Sequence, residues 1–376
     1  MNSNNTAIIA LSSFAGMGPY VASIVNAFKV TDPIWFVLVE DERHYFTKNI
    51  SGELKKKCLI IYRPNTKLNK LKSIVFSDKD LIRQITDLIV DKHIGNIHML
   101  ASCFSLRNVI FSWRNKYRLI MTIHDLHPHE AKKAFYKIWR QRRMYMILDK
   151  MRDACHDFIT NSQAQFKELK SMYPSKDVFY HEFPSLLTES ISSGKKKVPE
   201  LQGISNYVLF FGRIEAYKGL DVLYKAWCEC PDLNQRAHLV IAGSGNIYFP
   251  RSENEKNVVF INRYIHDEEI ATLYNHAVCT VYPYISASQS GVLSLSCFFK
   301  SPIIASDVPF FHSIEDNGIG YIFDNGNSQQ LAERILSSLN MSDEERNKMQ
   351  KTQSEYYDKH YDTKAIRKAL LEYYNK

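Results

Sequence analysis

The sequence predicts an α/β protein built from two doubly wound parallel-sheet domains, and three observations carry that prediction. Short apolar runs alternate with helical patterns from end to end, as βαβ units require. A polar, lysine-rich stretch without periodicity interrupts the alternation near the middle. The length of 376 residues suits about two domains with large cores.

The strand-like runs of the first half are TAIIALS, PIWFVLVE, CLIIY, NIHML, RLIMTIHD and DFITN. Those of the second are YVLFFG, HLVIAG, NVVFIN, CTVYPY, PIIAS and GYIFD. The stretch at 186–204 reads as a linker between an N-terminal domain of residues 1–185 and a C-terminal domain of residues 205–345. Residues 346–376 read as C-terminal helices expected to cross back to the N-terminal domain. Ser342 is the N-cap expected ahead of them, with acids in the first turn that follows.

Composition bounds the partners. The formal net charge of +8 favours an anionic partner: nucleic acid, a phosphorylated ligand or an anionic membrane surface. No nucleic-acid-binding module is recognisable. There is no run of 18 apolar residues, and MNSNNTAIIALSS has no basic segment ahead of its apolar run, so a cytoplasmic protein is expected. The seven cysteines are scattered without metal-ligand spacing and read as reduced thiols.

Open α/β sheets bind ligands outside the carboxyl ends of their strands. With only 14 glycines in the chain, about half the usual share, paired glycines at those ends carry weight. In FFGRIEAYKGLDVL (210–223) a strand stops at Gly212, and Arg213, Lys218 and Gly219 precede a helix. This pattern suits an anion at a helix start, or a solvated helix entrance. In SSFAGMGPYVASIV (12–25), Gly16 and Gly18 form a loop resembling G-x-G-x-x-G, with Glu40 where a dinucleotide fold keeps its ribose acid. An NAD-dependent oxidoreductase and a nucleotide-sugar site both fit that loop, although Val21 stands where the third glycine belongs.

TIHDLHPHE (122–130) closes a strand with His124 and Asp125, which fit either catalytic polar groups or a helix cap. In SQSGVLSLSCFFKSPIIASD (288–307), Gln289, Ser290, Gly291 and Val292 open a helix that either cradles a diphosphate or is an ordinary buried helix. SDKD (77–80) contains a D-x-D, read as first-turn acids of a helix rather than as metal ligands. KKAFYKIWRQRRMYMILDK (132–150) has seven Lys or Arg against one Asp among aromatic residues, and suits an anionic membrane surface or a solvated helix face.

From about 205 to 340 the ordered series FGRIEAYKG, LVIAGSG, HDEEIATLYNHA, YPY, SQSGV, SPIIASD and FHSIEDNGIGYIFDNG resembles the retaining GT-B glycosyltransferases of the glycosyltransferase group 1 (family 4) class. The first half is similar more weakly, through its glycine loop, TIHD and TNSQAQFKEL (160–169). The resemblance implies two Rossmann-like domains facing a cleft, residues 1–185 on the acceptor side and 205–345 binding the nucleotide-sugar. It implies transfer of a sugar from a nucleotide-diphosphate donor to a glycan or lipid-linked hydroxyl, without metal or other cofactor. Such work belongs to bacterial-type cell-surface polysaccharide or lipopolysaccharide assembly, in the cytoplasm or on the inner face of the plasma membrane.

By the same resemblance Arg213 and Lys218 hold the donor diphosphate, and His124 contacts the transferred sugar with Asp125 orienting it. Gly16, Gly18, Gly243, Gln289, Ser290, Gly291 and Val292 line the donor. The family's spaced pair of glutamates is missing, because its positions fall near Ser286 or Ala287 and near Ser294 or Leu295. Glu315 matches a different family glutamate and is either the ribose partner or a surface cap. The alternatives to a transferase are the oxidoreductase and a catalytically silent sugar-nucleotide binding protein.

Overall fold

The computed structural model of the chain describes residues 4–12, 17–64, 66, 78–101, 103–126, 135–253, 255–287 and 290–376, with the backbone alone for 135–141. They fall into two compact units, Met1–Pro184 with Thr363–Lys376, and Ser185–Asp362.

The first unit is a parallel sheet of β1 (Thr6–Ala10), β2 (Ile34–Glu40), β3 (Cys58–Tyr62), β4 (Asn96–Met99), β5 (Arg118–Ile123), β6 (Asp157–Thr160) and β7 (Asp177–Tyr180). Its strand order is β3-β2-β1-β4-β5-β6-β7. The order reverses between β1 and β4, where doubly wound sheets bind ligands. The second unit contains β8 (Tyr207–Phe211), β9 (His238–Ala242), β10 (Val258–Ile261), β11 (Ala277–Tyr282), β12 (Ile303–Ser306) and β13 (Gly320–Phe323). The order there is β10-β9-β8-β11-β12-β13, so the reversal lies between β8 and β11. Central strands such as β1 are buried along their whole length, which is why they read as continuous apolar runs rather than alternating ones. All twelve runs picked out in the sequence are strands; β7 was missed because Asp177–Tyr180 buries only Val178 fully.

Helix boundaries follow local chemistry. Asp78 caps the helix Lys79–Asp91 by accepting from Leu81 N at 3.0 Å, and the helix buries Leu81, Ile85 and Ile89 on one face. The D-x-D carboxylates are engaged, since Arg63 reaches Asp78 at 3.2 Å and Asp80 at 3.3 Å. Ser342 and Glu345 form a capping box at the start of the helix Asp343–His360. The seven cysteines are all unpaired. Among the described residues no helix is long and apolar enough to cross a membrane.

Two boundaries differ from the sequence expectation. Residues 186–204 group with the second unit instead of hanging between domains. Leu186 N donates to the buried Ser294 Oγ at 3.0 Å, Thr188 caps the turn Glu189–Ser192, and Lys196 N donates to Glu268 O at 3.0 Å. A polar segment without periodicity is still ordered when its backbone groups find partners. At the other end the helix Asp343–His360 also stays with the second unit, where the buried Gln353 side chain donates to Ser301 O and Ile319 O, both at 2.9 Å. Only the last helix, Thr363–Tyr374, joins the first unit, through an Arg367–Asp32 ion pair and through Tyr374 OH against His98 Nδ1 at 2.6 Å.

His98 is fully buried, its other nitrogen 2.7 Å from Thr122 Oγ1, and burial lowers its pKa to about 3. Burial also lowers the pKa of His181, to about 4. Unfolded histidines take up protons near pH 6.5, whereas these two refuse them until far lower pH. Their contribution to stability is therefore complete above pH 6.5 and is lost as pH falls toward the folded values. Urea unfolding followed from pH 7 to pH 4 should show stability falling by about 1.4 kcal/mol per pH unit for each such histidine. His98→Gln should flatten that slope, and an unchanged slope would show that His98 is not one of the groups responsible.

Candidate donor-binding site

The loop after β8, at the reversal point between β8 and β11, interlocks through its backbone with the loops after β9 and β11. After β8 the chain runs Gly212–Arg213–Ile214, and Ile214 N donates to Ser244 O at 3.0 Å, which joins it to the loop after β9. Gly243, in that second loop, has φ 146°, and a Cβ there would lie 1.9 Å from Gly212 O. Ala216–Lys218 then forms a single 3-10 turn, closed by Gly219 in the left-handed region at φ 65°. A Cβ at Gly219 would lie 1.8 Å from the carbonyl oxygen of Pro283, in the loop after β11. Ile285 N donates to Tyr217 O at 2.8 Å across the same junction. Only glycine permits this approach, and the approach fixes where Lys218 stands.

Lys218 Nζ lies 3.8 Å from the centroid of the Tyr284 ring and 4.9 Å from that of Tyr217. Desolvation by burial lowers its pKa, against the opposing effects of the Tyr217 side chain and Glu215, and the charge of Arg213 adds to the lowering. Arg213 itself is half exposed, at 49%, and pairs with Glu215 at 3.0 Å. A desolvated ammonium in a loop that also carries a guanidinium is a positive centre that favours an anion.

The remaining residues expected near the donor divide. Ser290 is buried, and its hydroxyl lies 3.4 Å from Tyr284 OH. Gly291 precedes the seven-residue helix Val292–Phe298, and Val292 O accepts from Tyr282 OH at 3.3 Å. Gln289 and Gly16 lie outside the described residues. Gly18 is buried inside the helix Met17–Ala27 rather than in the preceding loop, because the helix begins one residue earlier. Leu295 is buried, and Ser294 Oγ is fully buried between Leu186 N and Gly291 O, so the position of the missing second glutamate serves packing. Glu315 is exposed on the turn His312–Asp316 and lines a pocket of about 360 Å³ with Asp307, Asp316, Asp324 and Arg334, outside the carboxyl ends of β12 and β13.

In the first unit His124 follows β5, half-buried, and its Nε2–H donates to Leu100 O at 2.7 Å. A carbonyl only accepts, so this bond selects the tautomer with the proton on Nε2 and the lone pair on Nδ1. Burial lowers the pKa of the ring, against the opposing effects of the Leu100 carbonyl and Asp125, and keeps it neutral at physiological pH. Tyr20 meets it edge-on at 4.8 Å, and Gln165 Nε2 donates to its carbonyl at 2.9 Å. The Leu100 carbonyl holds the Nε2 side of the ring, and the charge of Asp125, an exposed residue, acts on it as well. Glu40, expected as a ribose acid, is buried; its carboxylate accepts from Thr47 N at 3.0 Å and Thr47 Oγ1 at 2.6 Å, with His44 Nδ1 at 3.2 Å. It caps the helix Tyr45–Asn49 from within its own unit, and so loses the basis for a dinucleotide role. Sequence reasoning missed Tyr217 and Tyr284, since aromatic residues near strand ends are ordinary core residues unless a cation is seen over the ring.

Two parallel α/β sheets of this topology are shared with solved structures of low sequence identity. A sucrose-phosphate synthase from Thermosynechococcus elongatus matches with a TM-score of 0.69 at 15% identity, over 98% of each chain. Anabaena HepE in complex with UDP-glucose matches with a TM-score of 0.65 at 14% identity, again over 98% of each. An E. coli structure described as trehalose-6-phosphate bound with UDP-2-fluoro glucose matches with a TM-score of 0.66 at 10% identity, over 99% of each. No curated protein matches the chain in sequence. The fold is GT-B, with Rossmann-like domains. Residues 191–356, within the second unit, match the family described as Glycosyl transferases group 1.

Gly219→Ala tests the junction beneath Lys218. The Cβ meets a backbone oxygen that cannot rotate away, and the φ is strained for alanine, so a loss of roughly 1–3 kcal/mol of stability is expected. Thermal unfolding should move down accordingly, and an unshifted midpoint would mean that the loops separate at no cost.

Proposed function

We propose that the protein transfers a sugar from a nucleotide-diphosphate donor to an acceptor hydroxyl with retention of anomeric configuration and without a metal. The observation that carries this reading is the Lys218 ammonium held over the Tyr284 ring at the β8–β11 reversal, in the loop that also carries Arg213 and within a stretch that matches glycosyl transferases group 1. As the bond from the anomeric carbon to the phosphate oxygen breaks, negative charge grows on the leaving diphosphate, and the two cations stabilise it more than they stabilise the ground state. The acceptor oxygen forms the new glycosidic bond, and its proton leaves with the nucleoside diphosphate. His124, neutral and held through Nε2 by the Leu100 carbonyl, contacts a hydroxyl of the transferred sugar. Ser290, Gly291 and Val292 contribute to donor binding mainly by fixing the loop, and Gln289 is expected beside them. Glu315 remains the proposed ribose contact. The engagement of Asp78 and Asp80 with Arg63 and a helix cap supports diphosphate neutralisation by Lys218 and Arg213 alone. The acceptor is a glycan or lipid-linked glycan of cell-surface polysaccharide assembly.

Incubation with UDP-, GDP- and dTDP-sugars should single out one donor by thermal stabilisation, about 2.7 kcal/mol at 100 times its dissociation constant. Transfer from that donor should persist in EDTA. Lys218→Ala or Arg213→Ala should lower turnover by about 10²- to 10³-fold, and His124→Ala by about 10²-fold. Absence of stabilisation by every donor, or normal turnover in the lysine and arginine variants, would overturn the site assignment.

The cations of the helix Phe135–Ala154 are the ground for a peripheral membrane position: Arg142 and Arg143 are exposed and Met146 is 58% exposed, although the helix does not gather its apolar residues on one face. Each cation near an anionic surface contributes about 1 kcal/mol. Replacing Arg140, Arg142 and Arg143 by Gln should release the protein from phosphatidylserine vesicles at low salt, and wild-type protein that ignores such vesicles would indicate a soluble acceptor.

A further inference from the structure

We propose that Tyr284 is a positioning residue for Lys218, its ring holding the ammonium where the leaving diphosphate is met; this rests on the transferase reading above. A carboxylate in that place would cancel the charge the reaction needs, whereas an aromatic face attracts a cation without neutralising it. The ammonium is 3.8 Å from the Tyr284 centroid, and the Tyr217 ring stands edge to face with Tyr284 at 6.2 Å, so the cation is bracketed by two rings. Of the two acids three residues away, Glu215 pairs with Arg213 at 3.0 Å and Asp221 accepts from Tyr248 OH at 2.9 Å, while the Tyr217 side chain hydrogen-bonds Lys218 from the other side.

Tyr284 is also held rigidly. It is fully buried, packs against Phe311 at 5.2 Å and Tyr282 at 5.9 Å, and its carbonyl accepts from Ser306 Oγ. Its hydroxyl lies 3.4 Å from Ser290 Oγ, a contact too long to hold the ring, which the aromatic packing and the Ser306 bond fix instead. The ring therefore cannot follow the lysine; the lysine must follow the ring. A residue acting this way should alter donor binding in proportion to the electron density of its face, not its size.

Replacing Tyr284 by phenylalanine and then by its mono-, di- and trifluoro analogues keeps the shape while draining the ring face step by step. In protein with reductively ¹³C-methylated lysines, the Lys218 methyl signal should carry a ring-current displacement. That displacement should persist with phenylalanine and shrink along the fluorine series. Kd values for UDP, GDP or dTDP, whichever the wild type binds, should stay within about twofold for phenylalanine and weaken by about tenfold to the trifluoro analogue. In the Lys218→Ala background the same series should leave Kd unchanged, since the coupling requires both partners. Normal nucleotide binding with a flat fluorine series, or an equal series in the Lys218→Ala background, overturns the positioning role alone. A wild type that binds none of the three nucleotides overturns the transferase reading and the positioning role together.

Discussion

The contact between Gly219 and the Pro283 carbonyl is the constraint on which the second unit's site depends. Loops after β8 and β11 meet at the point where strand order reverses, and they meet backbone to backbone because residue 219 has no side chain. Closing the 3-10 turn there delivers Lys218 over Tyr284 and brings Ile285 N to Tyr217 O. Gly243 against Gly212 repeats the device one strand over. Two glycine-permitted approaches thus make a rigid floor from segments distant in sequence, and rigidity is what electrostatic stabilisation of a developing charge requires.

Buried polar groups show how the surrounding core holds its shape. Thr280 Oγ1 and Ser296 Oγ lie 3.0 Å apart, Tyr282 OH bonds the same Ser296, and Tyr274 OH reaches Tyr282 OH at 3.4 Å. Burial raises the pKa of these tyrosines and keeps them neutral, so the network supplies geometry without charge. Ser294 plays the same part toward residue 186, in a position where the family that the sequence resembles has an acid nearby. A buried carboxylate there would need a cation or several donors to be stable, and the neutral hydroxyl instead ties the incoming chain to the helix start.

The first unit applies the same logic to histidine. His98, His124 and His181 all have pKa values lowered by burial, and each is oriented by an oxygen partner. Only His124 stands at the carboxyl end of its strand with part of its surface exposed, and that difference separates a candidate functional ring from its structural neighbours.

Period and punctuation in the sequence were enough for the α/β class, for twelve strands, for the N-cap Ser342 and for the acids at the start of the helix Lys79–Asp91, because those depend on contacts within a few residues. They also placed Arg213, Lys218, Gly243 and His124 at strand ends, since a parallel sheet puts its loops there. Sequence alone did not reveal that residues 186–204 are packed, that Glu40 caps its own helix, or that Ser290 faces Tyr284. Nor did it separate the helix Asp343–His360 from the final helix Thr363–Tyr374, which belong to different units. Each of these was decided by a partner far along the chain: Ser294 for Leu186, Ser301 and Ile319 for Gln353, His98 for Tyr374. Local pattern encodes which face of an element is apolar, but the partner of a buried polar group is chosen only when the sheets bring distant segments within hydrogen-bonding distance.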